Sequence, residues 1–221
     1  MTVKEPRAGD EERIGDSVRG TAVEREGLPA DVRAELWLER FPWASAIGVG
    51  MGAFLIGYVG LFAVVFVAPL ALPDGDRPVR VGFLFYNAHN VVVTGLSTAL
   101  PDAITPTTNY LSLAEIPLLY RLYPAVVVSA ASALFTAVRF PERKHLGTAL
   151  ATGAGVGTGY VLLALVGTFA FSLQVSNVLY QPSRVGTLLY VLGYGLMCGV
   201  GGSLCGQAVV DRSDGRKVTG R

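Results

Sequence analysis

Apolar positions along this chain gather into runs rather than recurring at helical or strand intervals. Hydrophobic residues dominate from about Ala44 to Leu70, Pro117 to Val138, Leu146 to Leu173 and Val185 to Val210. Each run exceeds the roughly 18 residues that mark a membrane helix. Polar islands divide them: Pro73-Asp74-Gly75-Asp76, the basic stretch Arg139 to His145, a loop holding Asn177, Gln181, Pro182 and Arg184, and the charged run Asp211 to Lys217. The pattern predicts an all-α membrane protein, a four-helix transmembrane bundle over residues 44–210 with spans at about 44–70, 117–138, 146–173 and 185–210.

The ends read differently. Residues 1–27 are polar and dense in charge, which predicts a disordered cytoplasmic tail. From Leu28 the pattern changes. Pro29 suits a first helical turn, Asp31 suits the positive end of a helix, and Val32 and Leu36 share a face. Arg33, Glu35, Glu39 and Arg40 are polar, while Trp37, Phe41 and Trp43 lead into the first run. A juxtamembrane amphipathic helix over 28–43 fits, with its rings at headgroup level; a plain helical lead-in fits equally. Residues 211–221 form a cytoplasmic tail, and no secretory signal precedes the first run.

Composition agrees with the pattern: 51% of residues are hydrophobic and 16% charged, with a mean hydropathy of +0.46. A soluble domain carries about a quarter charged residues. The net charge of +1 is less telling than its arrangement. With the N-terminus inside, the cytoplasmic rims hold Arg33, Arg40, Arg139, Arg143, Lys144, Arg212, Arg216 and Lys217, against Arg77, Arg80 and Arg184 outside. That bias predicts a multi-pass protein of the cell membrane with both termini cytoplasmic. Residues 78–95 compete as a fifth span, but counting them would put most of the basic residues outside. Residues 73–116 therefore read as a small outer-face cap, with a short helix or re-entrant piece at 78–90 followed by an irregular loop.

Candidate chemistry is sparse. Small residues recur every four positions: Gly48 and Gly52 in the first span, Gly147, Ala151, Gly155 and Gly159 in the third, Gly195 and Gly199 in the fourth. Such stripes let helix backbones approach closely in lipid. The run Gly153 to Gly159 has neither the spacing nor the preceding strand of a nucleotide-binding loop. No Asp, Glu or Lys falls within a span, and Arg121 is the one charged side chain there. Ion-coupled transporters usually need intramembrane carboxylates, and membrane proteases need ligand clusters. An enzyme is not expected, nor a cofactor, a metal or a nucleic-acid partner. Cys198 and Cys205, seven residues apart, are about 10 Å apart along a helix, too far for a disulfide.

Two polar features remain. Arg121 either snorkels to the interface or pins the cap by pairing with Asp102 or Glu115. The cluster Tyr86, Asn87, His89 and Asn90 is unusually polar for its apolar surroundings; on one helix Tyr86, His89 and Asn90 would share a face. It reads as a polar pocket or pH-sensitive group, or as the wetted face of an interfacial helix.

The segment Phe83 to Asn90, followed by a polar loop and Leu119-Tyr120-Arg121-Leu122-Tyr123-Pro124, resembles a family of uncharacterised multi-span membrane proteins of halophilic archaea. That resemblance implies no activity. Two functions stay in view: a non-enzymatic structural, regulatory or partner subunit of the membrane, and a small transporter or channel-like protein. The expected partners are the lipid bilayer and either a second copy or an unidentified membrane protein. A dry, glycine-packed bundle favours the first function; a water-filled path favours the second.

Overall fold

The computed structural model describes residues 38–67, 76–97, 118–140 and 146–218. The expected tail at 1–27, most of the segment at 28–43, and the loop holding Asp102 and Glu115 lie outside the described residues.

In chain order the elements are α1 (Trp43–Val67), α2 (Arg77–Ala88), β1 (Val93–Ser97), α3 (Leu118–Arg139), α4 (Leu146–Ala170), β2 (Leu173–Val175), β3 (Val178–Pro182) and α5 (Leu192–Val218). A short helical turn, Arg184–Gly186, and a π-helical turn, Thr187–Val191, lead into α5. Among the described residues four helices are long and apolar enough to cross a membrane: α1, α3, α4 and the continuous segment Arg184–Val209. They form because apolar and small residues dominate them, with no acid to demand water.

Close approach of backbones sets the packing. Gly50 of α1 lies against the Val156 carbonyl of α4, and Gly159 of α4 against the Ile47 carbonyl of α1. Gly155 faces Ala46. Between α4 and α5, Gly153 meets Gly199 and Val200, and Gly157 meets Gly195. Between α3 and α5, Gly202 and Gly206 lie on the carbonyls of Ser129 and Ala133. Two polar bonds reinforce that last seam: Ser129 Oγ donates to the Cys198 carbonyl at 3.2 Å, and the hydroxyls of Thr136 and Ser203 meet at 2.7 Å. Helices α1 and α3 touch differently. The Tyr123 hydroxyl of α3 reaches Gly60 and donates to the Ile56 carbonyl at 3.5 Å. The pairings put Trp43, Arg139 and Leu146 at one end of the bundle, and Val67, Leu119, Ala170 and Arg184 at the other.

The purely α-helical expectation needs correcting. A three-stranded antiparallel sheet, order β1-β3-β2, sits at the Arg184 end. Strand β1 pairs from Val93↔Pro182 to Ser97↔Val178, and β2 pairs from Leu173↔Tyr180 to Val175↔Val178. The residues expected as a loop around Asn177 and Gln181 are a tight hairpin. Ser176 takes a left-handed conformation there, φ 54°, which hairpin turns require. Val93, Thr94, Val175 and Val178 supply the β-branched character strands favour, but in stretches too short for alternation to be read.

Candidate functional site

Helix α2 carries the site. Arg77 and Pro78 open it after Asp76, and proline suits a first turn, where its missing N–H costs nothing. Arg77 donates to the Val65 carbonyl at 3.4 Å, and the Tyr58 hydroxyl to the Pro78 carbonyl at 3.1 Å. The helix therefore starts beside the last turns of α1. It then descends into the bundle, and every residue from Arg80 to His89 is buried. Its tip meets Tyr160, ten residues from the end of α4, which is about 15 Å of helix. The chain then turns back. Ser183 donates to the Val92 carbonyl at 3.0 Å, so three residues past His89 the backbone has returned to the sheet.

Local hydrogen bonds make that reversal. His89 N and Val91 N both donate to the Tyr86 carbonyl, at 2.9 and 3.1 Å, and Asn90 N donates to the Asn87 carbonyl at 2.9 Å. Asn90 adopts φ 60°, a conformation asparagine tolerates better than most residues. The Asn87 side-chain amide donates to the Val91 carbonyl at 2.7 Å, clamping the turn. Backbone groups that a helix end would leave bare are thus satisfied within the turn.

At the tip, His89 Nδ1 lies 2.8 Å from the Phe85 carbonyl, and Nε2 lies 2.8 Å from the Tyr160 hydroxyl. A carbonyl only accepts, so Nδ1 carries the proton, and Nε2 accepts from Tyr160. The ring is 2% exposed. Burial pushes its pKa down to about 4, against the opposing pull of the Phe85 carbonyl. The imidazole is neutral at neutral pH. Aromatic rings enclose it: Phe85 at 4.9 Å and Tyr194 at 5.0 Å between centroids, both edge-on. Phe54 of α1 touches Phe85, Tyr86 and Tyr160. The Tyr86 hydroxyl donates to the Ala164 carbonyl, and burial pushes its pKa above the ordinary value.

Of the predicted polar cluster, the structure brings Tyr86, Asn87 and His89 together inside the bundle. Asn90 is exposed, because the helix ends before it. Tyr86, Asn87 and His89 are walled in by rings and backbone, so they form no wetted face. Residues that the sequence did not mark complete the site, above all Tyr160 and Tyr194. Their signal was a phenol midway along each glycine-rich run. Arg121 stands exposed near the start of α3, while Asp102 and Glu115 lie outside the described residues. Gly155, Gly159, Gly195 and Gly199 sit at helix contacts, and Ala151 is buried. Gly48, Gly52 and Gly147 do not: nothing lies within 4 Å of a Cβ built on them. In α1 the buried small residues are Ala46, Gly50, Ala53 and Gly57; Ala53 and Gly57 are small residues the pattern of the first span also offers, whereas Gly48 and Gly52 lie off this face. Among the described residues no three His, Cys, Asp or Glu side chains group as metal ligands.

Residues 34–210 match DUF7978, a family of unknown function. The chain belongs to this family. No curated protein and no solved structure matches it. For this DUF7978 chain the site's chemistry must be read from its own residues. They offer a neutral histidine with both ring nitrogens engaged, one by the Phe85 carbonyl and one by the Tyr160 hydroxyl. The His89–Tyr160 pair ties the tip of α2 to the middle of α4.

Proposed function

We propose that this chain is a multi-pass protein of the cell membrane, with both termini cytoplasmic, serving as a non-enzymatic structural, regulatory or partner subunit. The observation that carries this reading is α2, which is buried from Arg80 onward and ends at a histidine whose two ring nitrogens are already bonded. Glycine contacts between α1 and α4, α4 and α5, and α3 and α5 support it, since backbones touching leave no route between those helices. Rings at the Arg184 end suit a membrane interface: Arg184 stacks on Phe169 at 4.2 Å and Arg77 lies over Phe66 at 5.7 Å. Fifteen Arg against three Lys, and an acidic N-terminal segment, support the halophilic origin implied by the resemblance.

One observation favours the small-transporter reading: a polar pair, His89 and Tyr160, lies well inside the bundle, where ionisable residues often mark a pathway. A single assay separates the two. The full chain is reconstituted in liposomes, and proton, sodium, potassium and chloride flux is followed with entrapped dyes. The subunit reading expects rates equal to empty liposomes; a flux abolished by His89→Phe would replace it with the transporter.

A further inference from the structure

Helices α1 and α3 meet closely only towards the Val67 end, where Tyr123 reaches Gly60. Towards the other end they diverge, leaving a groove of about 830 Å³ open at the side of the bundle. Its walls are apolar, among them Val49 and Ile56 on α1 and Val127, Leu134 and Phe135 on α3. Exposed Arg139, the last residue of α3, lines it at the same end of the bundle as Ser45.

We propose that this groove binds one anionic phospholipid of the cytoplasmic leaflet, with an acyl chain between α1 and α3 and the phosphate at Arg139. The inference rests on the membrane reading above and adds a specific ligand to it. Length argues first. The groove follows α1 from Ser45 to Ile56, about 17 Å of helix. One leaflet of a hydrocarbon core about 30 Å thick is about 15 Å deep. The groove therefore reaches from an interface to near the midplane and stops where Tyr123 closes α1 onto α3. A membrane-spanning helix, from a partner or a second copy, needs a seam along the whole bundle, and this one ends halfway. Charge argues second. Nearly all of the lining is hydrocarbon, and the cation stands at the end where a headgroup would lie. An arginine guanidinium is suited to phosphate, which it can grip with two parallel hydrogen bonds.

Native mass spectrometry of the full-length protein in detergent, titrated with phosphatidylglycerol or phosphatidylcholine, tests this. Wild type is expected to retain one phosphatidylglycerol about fivefold more tightly than phosphatidylcholine, the effect of one basic residue near an anionic surface. Arg139→Gln should equalise the two lipids. Ala130→Phe, on the exposed lining of the groove, should weaken both, whereas Val166→Phe, exposed on α4, should weaken neither; thermal melts of each variant confirm folding. Equal binding of both lipids to wild type, or a preference that survives Arg139→Gln, would overturn the site. So would disulfide-linked dimers formed through a single cysteine at Ala130, because a second copy would then occupy the groove. Recovery of the expressed chain in the aqueous fraction, away from membranes, would instead overturn the membrane reading and the site with it.

Discussion

His89 is held by one donor and one acceptor, so each bond can be broken separately. Removing the Tyr160 hydroxyl leaves Nε2 buried with nothing to accept from. A stranded buried acceptor costs about 1–3 kcal/mol, and Tyr160→Phe should lower stability by that amount while keeping the ring contacts. An unchanged melting temperature in detergent would contradict the bond. Protonation acts on the same atom. The folded pKa, about 4, lies below the ordinary value of 6.5, so the unfolded chain binds the proton first. Stability is then full above about pH 6.5, falls as pH drops from there towards 4, and levels off once both states are protonated. The drop is about 3 kcal/mol in all. His89→Gln should remove that part of the pH dependence; an identical acid profile in wild type and variant would refute it. The sequence exposed Tyr86, Asn87 and His89 as out of place in an apolar run. It could not expose Tyr160, because a phenol in a long apolar helix is ordinary until its neighbour is known.

Among elements, the four long helices were legible because a run of some twenty apolar residues has few other uses. Which face each helix turns inward was not. Along α1, Gly48 and Gly52 and the set Gly50 and Gly57 both make plausible small-residue stripes. Only the position of α4 decides that Gly50 is the one in contact. The sheet escaped for a different reason: β1 and β3 are short, lie far apart in sequence and find each other only after the helices have brought their ends together. The interfaces make a graded prediction. Gly155→Leu drives a side chain into Ala46 and should cost about 1–3 kcal/mol through overpacking. Ala63→Leu, on the exposed side of α1, should change little. Thermal unfolding of both in the same detergent is the measurement, and equal losses would argue against a tight α1–α4 seam.

For the whole molecule, the proposed orientation, with both termini cytoplasmic, is one that chemistry can check. Single cysteines at Thr107, Arg143 and Gly215, in a chain with Cys198 and Cys205 replaced, should differ towards an impermeant thiol reagent added to intact cells. Only the first should react. Labelling at Arg143 would reverse the orientation inferred from the Lys and Arg distribution.

The return from α2 has a consequence for the order in which the protein is made. Residues 93–97 pair with 178–182, which the ribosome adds only after α3 and α4. Until then β1 has no strand to join, and the α2 tip lacks Tyr160 as a partner. The first half of the chain is therefore made with the α2–β1 segment lacking both its strand partner and Tyr160. Nascent chains arrested after residue 150 should be cut by added protease between 76 and 97, whereas chains released at full length should resist. Equal resistance of the arrested chains would mean that the segment docks without its strand partner.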